Sequence, residues 1–305
     1  MSDEIQRVIE GIGRVILGKE RAVRLSLACL LARGHLLIED LPGVGKTTLA
    51  HALARLLDLR YQRIQFTSDL LPADILGASV YDRESGGFSF HPGPVFAELV
   101  LADEINRATP KAQSALLEAM EERQVTVEGR THGLPDPFFV IATQNPSFQV
   151  GTFPLPESQL DRFLMRVSIG YPDRAAEREL LAGEDRRMVL EQTGPVMQAA
   201  RLRELQARVG QVHVSDALLD YCQALLEHTR LSPRFHHGLS PRAGLALLRG
   251  ARAWALTGGR DSVLPEDLQA VLPATVGHRL VAAETGEPGG ADELAGHLLR
   301  SVPIP

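Results

Sequence analysis

The sequence predicts a helix-rich α/β fold, in which a parallel sheet is followed by an all-helical second domain. Three observations predict it. Short apolar runs that stop at polar or Gly/Pro residues recur through residues 1–171, apolar stripes at helical spacing follow them, and beyond Pro172 only helical stripes remain. The division therefore falls at 1–171 for the α/β part and 172–305 for the helical part.

Residues 1–33 read as helical around 21–32, with Cys29 inside the apolar run Leu27-Ala28-Cys29-Leu30-Leu31. His35-Leu36-Leu37-Ile38-Glu39 is a compact strand that ends in a Pro/Gly loop, and Leu49, Leu53, Leu56 and Leu57 then recur at helical spacing. A second strand is expected over 95–102, since Leu99-Val100-Leu101-Ala102 is continuous enough to be covered on both faces. Asp103 and Glu104 end it. Thr109 offers a side-chain cap, Pro110 suits the first helical position, and Ala112, Leu116, Leu117 and Met120 make the apolar stripe of a helix that runs to about Arg123. Phe138-Phe139-Val140-Ile141-Ala142 is a third strand, closed by Thr143-Gln144-Asn145-Pro146.

Two stretches read as hairpin insertions that project from the sheet: 76–90, turning at Gly86-Gly87, and 124–137, with Gly129 near its tip. Residues 284–292, rich in glycine and proline, read as a flexible link to a last short helix.

Composition narrows the function classes. A chain of 305 residues with 44% hydrophobic content can bury a sizeable core, so disorder is not expected. The formal charge of -6, from 32 basic and 38 acidic residues, argues against nucleic acid as a partner. The two cysteines, Cys29 and Cys222, lack the close spacing of a metal or redox motif. Without a basic, apolar leader or a run near the ~20 residues of a membrane helix, a soluble cytoplasmic protein is expected, with no membrane insertion.

The chemistry concentrates in five places. Asp40-Leu41-Pro42-Gly43-Val44-Gly45-Lys46-Thr47 matches the phosphate loop G-x-x-x-x-G-K-[ST] except at its first position, where Asp40 replaces Gly. Such a loop wraps phosphate oxygens with backbone N–H groups. Pro42, Gly43, Val44, Gly45, Lys46, Thr47 and Thr48 are therefore the nucleotide-binding candidates: Lys46 reaches the β/γ-phosphates, and the following helix adds its positive N-terminal dipole. Thr47 supplies a hydroxyl for Mg²⁺, and Asp103, at a strand end, can hold the same ion through water. Glu104 beside it can polarise the water that attacks the γ-phosphate.

Asn145 ends the third strand, where ligands of open parallel sheets bind; it either orients that water, senses the γ-phosphate, or is an ordinary turn residue. Leu160, Phe163 and Leu164 point one way, which leaves Asp161 and Arg162 on another face. Arg162 is then either an arginine finger for a neighbouring subunit's nucleotide or an exposed surface arginine. Ser240 can cap a helix that starts at Pro241, placing Arg242 in a first turn where its charge opposes the helix dipole and needs an anion. A bound phosphate bridging the two domains would serve, as would a local carboxylate. Glu121 and Glu122 read as a solvated helix face.

In order, Leu41 to Thr47, Ala102-Asp103-Glu104-Ile105-Asn106-Arg107-Ala108-Thr109-Pro110, Ala142-Thr143-Gln144-Asn145-Pro146, Leu160-Asp161-Arg162-Phe163 and Ser240-Pro241-Arg242-Ala243 resemble the MoxR family of AAA+ ATPases over nearly the whole chain. The stretch from Asn106 through Lys111-Ala112-Gln113 to Glu121-Glu122-Arg123-Gln124-Val125-Thr126 carries the resemblance most specifically. It implies an AAA+ P-loop NTPase module with an insertion in its second helix, a hairpin before the sensor strand, and the helical region as lid. It also implies that Asp40 is an accepted variant, that Ile16, Leu17 and Gly18 lie near the adenine, and that ATP and Mg²⁺ are the cofactors. The family is regarded as chaperone-like, forming hexameric rings that act with proteins containing von Willebrand factor A domains. The expected function is thus an oligomeric Mg-ATPase that remodels a protein partner. The alternatives are a magnesium-chelatase-like motor subunit, an ATP-binding regulatory module with little hydrolysis, and a DNA-associated relative, which the acidic balance disfavours.

Overall fold

A computed structural model describes residues 2–83, 86–145, 152–283 and 290–304. Helices α1 (Ser2–Gly13) and α2 (Glu20–Leu31) precede strand β1 (Leu36–Glu39), which leads through the phosphate loop into α3 (Lys46–Leu56). Strand β2 (Tyr61–Gln65) and α4 (Pro72–Leu76) come next, followed by the hairpin of β3 (Gly77–Asp82) and β4 (Gly87–Pro92). Then follow β5 (Leu99–Asp103), α5 (Pro110–Glu122), a second hairpin of β6 (Gln124–Val127) and β7 (Arg130–Gly133), β8 (Phe139–Gln144), α6 (Glu157–Leu160) and β9 (Met165–Val167). The remainder is helical: α7 (Arg174–Ala182), α8 (Arg186–Gln192), α9 (Ala199–Val209), α10 (Asp216–Leu231), α11 (Pro241–Thr257), α12 (Pro265–Val276) and α13 (Ala291–Ser301).

The central sheet has the order β2-β5-β8-β1-β9, and its neighbours pair in parallel. Successive side chains on a strand point to opposite faces, and the core divides on that alternation. Leu36, Ile38, Leu99, Leu101, Phe139 and Ile141 face one cluster, shared with α1, α2, α3 and the lid helices. Leu37, Val100, Ala102, Val140 and Ala142 face the other, closed by α5 and the residues around α4. At about 1.5–3 kcal/mol for each large apolar side chain withdrawn from water, these two layers hold the strand ends in place.

Both hairpin insertions are present as expected. At the tip of the second, Glu128 and Gly129 have φ of 50° and 78°, the paired left-handed conformation of a two-residue hairpin turn. In the first, Gly86 has φ of 66°, while Glu84 and Ser85 lie outside the described residues. So do Pro146 and residues 284–289 of the expected glycine-rich link.

Three local expectations are corrected. The expected strand over 95–102 starts only at Leu99, since Pro94–Phe96 forms a 3-10 turn that proline at its first position favours. Thr109 occupies the cap position of α5 without a side-chain hydrogen bond, whereas Ser240 does accept from the Ala243 N–H at 3.2 Å. The sheet also has two strands beyond the three expected, β2 and β9.

Candidate active site

Parallel pairing puts the C-terminal ends of β1, β5 and β8 on one edge, so Asp40 to Thr47, Asp103-Glu104 and Asn145 converge there. The phosphate loop turns through two left-handed glycines, Gly43 at φ 83° and Gly45 at φ 96°, and Gly45 is the N-cap of α3. Pro42, Gly43 and Thr47 are exposed, while the Lys46 side chain folds inward. Its ammonium donates to the carbonyls of Asp40 (2.5 Å) and Leu41 (3.0 Å) and to Asn145 Oδ1 (3.0 Å). Burial lowers its pKa from the ordinary lysine value, against the opposing pull of Asp40, Asp103 and Glu104.

Asp40 has its own work in the loop. Its Oδ2 accepts from Ser168 Oγ (2.9 Å) and from the backbone N–H groups of Ile169 and Gly170 (2.6 Å each), and its Oδ1 accepts from the Leu41 N–H (2.8 Å). Burial alone would raise this carboxyl, but the donors from Gly170, Ser168, Leu41 and Ile169 outweigh it and hold the pKa below 3.8. The residue that breaks the strict loop pattern therefore ties the start of the loop to the chain leaving β9.

Glu104 stands at φ 57°, ψ 48°, a left-handed conformation that costs a non-glycine residue and is found where a site needs it. Its N–H donates to Thr143 Oγ1 (2.9 Å), and that hydroxyl donates to Asp103 Oδ1 (2.6 Å). The Glu104 carboxylate accepts from Asn145 Nδ2 (3.1 Å), Gln65 Nε2 (3.1 Å) and Arg107 (3.0 Å). One amide, Asn145, thus accepts from Lys46 and donates to Glu104. Asn106 Nδ2 holds the Asn145 carbonyl (3.2 Å), and Gln113 donates to the carbonyls of Ile105, Ala108 and Phe153, which fixes the turn after Glu104.

Thr47 and Asp103 give a hydroxyl and a carboxylate, hard oxygen donors of the kind Mg²⁺ takes together with phosphates and water. Asp103 Oδ2 is engaged by Arg63 of β2 at 3.0 and 2.6 Å. The donor set fits the ion once phosphate oxygens complete it. Gly18, at φ 68°, lies against Ala176 and Asp173, and Ile16 reaches Gly45 of the loop, so the 16–18 segment borders the phosphate loop.

Arg162 and Arg242 are elsewhere. Helix α5 returns from the end of β5 to the opposite edge of the sheet, so its last turn carries Glu121 to the side where β1 and β9 begin. There Glu121 receives Arg162 at 3.2 Å and Arg242 at 2.7 Å, and Arg242 also approaches Asp161 at 3.6 Å. Arg279, from the turn after α12, donates to Asp161 Oδ1 (2.7 Å), the Asp161 carbonyl (3.1 Å) and the Phe163 carbonyl (2.8 Å), so the lid grips the segment that bears Arg162. One expectation changes here: Arg242, expected at this chain's own nucleotide with a local carboxylate as the alternative, pairs with that carboxylate, as α11 packs against α2 and α12. Glu121 is the carboxylate and stays exposed, as read from the sequence; the Arg242 hydrogen bond is the main cause of its lowered pKa.

Sequence reasoning also missed Thr143, Gln65, Arg63 and Arg279 as parts of these networks. Thr143 lay inside a motif already recognised, directly before Gln144 and Asn145, and was the most accessible of the four. Among the described residues no helix is long and apolar enough to cross a membrane, and no group of three or more His, Cys, Asp or Glu side chains gathers as a metal cluster.

Comparison with known proteins agrees with this architecture. Residues 35–165 match the ATPase family associated with various cellular activities (AAA), and residues 227–296 match an AAA lid domain. The chain is 44% identical over 301 residues to the uncharacterized protein YeaC of Bacillus subtilis, covering 98% of this chain and 94% of that one. It is 41% identical to the chaperone MoxR1 of Mycobacterium tuberculosis (91% and 75% covered) and 36% identical to the protein MoxR of Paracoccus denitrificans (90% and 87%). A solved structure of an ATPase candidate from Cytophaga hutchinsonii superposes with a TM-score of 0.88 at 36% identity, over 100% of this chain and 96% of that one. With a phosphate loop, an acidic strand end and a polar sensor strand on one sheet edge, and relatives of this identity over most of its length, the chain belongs to the MoxR family of AAA+ ATPases.

Proposed function

We propose that the chain is a Mg-dependent ATPase that works as a ring, hydrolysing ATP to remodel or mature a protein client. The observation that carries this reading is the Lys46–Asn145–Glu104 relay, in which a single amide joins the phosphate-facing ammonium to the carboxylate best placed to polarise water. The backbone N–H groups from Gly43 to Thr48 and the start of α3 bind the phosphates. Lys46 leaves the Asp40 and Leu41 carbonyls to meet them, which frees Asn145 Oδ1 to accept from the attacking water while Glu104 takes its proton. Thr47 and Asp103 would hold Mg²⁺, which would supply charge neutralisation on the phosphates. Ile16 and Gly18 border the adenine.

Arg162 and Arg242 lie on the sheet edge opposite Lys46, separated from it by the length of β1, roughly 13 Å at ~3.3 Å per residue. They therefore serve the nucleotide of an adjacent protomer, as charges that stabilise the transferring phosphoryl group. Arg279 couples the lid to Arg162, and in this reading residues 1–171 and 172–305 act as two units whose relative movement is transmitted at that contact. The family resemblance favours a hexamer and a client with a von Willebrand factor A domain. The β3–β4 hairpin supports a protein client: Val80, Tyr81 and Phe88 are all at least half exposed, and the last two rings meet at 5.4 Å. A cytoplasmic location suits a protein supplied with ATP and bearing two free buried cysteines.

A second reading, a nucleotide switch that hydrolyses slowly, is favoured by the three partners that already satisfy Glu104. Steady-state phosphate release separates the two. The ATPase reading expects Glu104→Gln to abolish release by the wild-type chain at concentrations where rings form; equal, near-zero rates in both proteins would leave only the switch.

A further inference from the structure

Helix α11 presents Arg242, Leu245, Arg249 and Arg252 at spacings of three, four and three residues, which sets them along one face. That face, the end of α5 and the loop before β1 line a half-open cavity of about 670 Å³, within the size range of small-ligand pockets. Its cations are all arginine. Most are already partnered: Arg162 and Arg242 by Glu121, Arg279 by Asp161, Arg33 by Asp136, while Arg123 donates to the Arg33 carbonyl.

Arg249 and Arg252 differ. Among the described residues neither makes a hydrogen bond or ion pair, and the Nε of Arg252 is buried with no partner. A buried guanidinium donor without an acceptor costs on the order of 1–3 kcal/mol, which a ligand oxygen would remove. Arg249 is solvent-exposed at the rim of the cavity; partial desolvation of its head, followed by the like charges of Arg123, Arg279 and Arg242, outweighs Cys29 in lowering its pKa. It stays cationic, among other cations. The chain as a whole carries -6, so this concentration of positive charge is a local feature.

We propose that Arg249 and Arg252 form a second phosphate-binding site within a single chain, for a small molecule carrying two or more phosphate groups. Guanidinium forks match phosphate oxygens two at a time, and neighbouring forks a helical turn apart suit linked phosphates better than a lone carboxylate. Leu245 and Leu248 of α11 and Val209 of α9 also line the cavity and would suit an apolar group attached to the phosphates.

The test uses the full chain carrying Lys46→Ala, which silences the phosphate loop, titrated with inorganic tripolyphosphate by calorimetry while sedimentation confirms the monomer. Binding is expected, weakened at least about tenfold by adding Arg249→Gln and Arg252→Gln, and weakened less by Arg249→Lys with Arg252→Lys, which keep the charge and lose the fork. The proposal is overturned by no binding to the Lys46→Ala chain, or by equal affinity in the Gln variants. It is also overturned by binding that appears only where protomers associate, which would assign the phosphate to a neighbour's nucleotide, or by tighter binding of a poly-glutamate peptide.

Discussion

The two edges of the central sheet are built on opposite principles. On the C-terminal edge, Lys46, Asn145, Glu104, Thr143 and Asp103 satisfy one another in a continuous mesh that folding of one chain completes. On the N-terminal edge, Arg162 and Arg242 share one carboxylate, Glu121, on a partly open surface. Exposed ion pairs of that kind are worth little and exchange readily. The difference teaches where control would lie in the proposed function: one edge would carry the chemistry, and the other holds arginines that a single chain keeps apart from its own Lys46.

The comparison can be broken most forcefully at Arg162. Arg162→Ala is expected to preserve ATP affinity and lower ring turnover by about 10³ to 10⁵, the range for an arginine supplied in trans, as read by phosphate release against protein concentration. Unreduced turnover would make the N-terminal edge an ordinary surface. At the other edge, Glu104→Gln should reduce turnover by about 10² to 10⁴ while ATP still binds, since the amide keeps the size of the side chain and one acceptor oxygen but loses the proton acceptor; equilibrium binding beside single-turnover rates measures both.

Stability against pH sharpens the contrast between the mesh and the opposite edge. His35, which directly precedes β1, donates from Nε2 to the Met120 carbonyl and accepts the Val140 N–H at Nδ1, so it is held neutral, and burial lowers its pKa from 6.5 to about 3. Its contribution is complete above 6.5 and is lost as pH falls toward 3, at up to about 1.4 kcal/mol per pH unit. His278, buried against the Phe163 carbonyl, is shifted in the same direction. Denaturant unfolding from about pH 7.5 to about pH 5 should show this slope, and His35→Gln should remove its share while His278 keeps the rest. The smallest effect is expected from Glu121→Gln. Releasing both arginines should lower the protein concentration for half-maximal turnover by at most about fivefold, in line with an exposed pair worth ~0.2–1 kcal/mol.

The mesh was largely legible in the sequence because its residues sit at the ends of strongly patterned segments: Lys46 after a glycine loop, Asp103 and Glu104 after a fully buried strand, Asn145 after another. Strand β2 was not legible, since only Ile64 of its five residues is buried and Tyr61, Gln62, Arg63 and Gln65 give no apolar run; β9, with three residues, is too short to show a period. The pairing of Glu121 with Arg162 and Arg242 spans 41 and 121 residues of sequence, and nothing local announces it. Where α11 docks is a tertiary outcome of packing on α2 and α12, so the side of the sheet that Arg242 faces could not be read from its helix cap. Asp40 shows the reverse case: a departure from the loop pattern that the structure explains through four donors.

The central claim, that each nucleotide is held by one protomer and completed by the next, is tested most directly by mixing two inactive variants, Glu104→Gln and Arg162→Ala, and measuring phosphate release. In mixed rings an Arg162→Ala protomer keeps its own Glu104 and receives Arg162 from an adjacent Glu104→Gln protomer, so turnover should recover to roughly a quarter of the wild-type rate at equal mixing if protomers assort randomly. Turnover no greater than that of the two variants measured separately would contradict the claim and return Arg162 to its own chain.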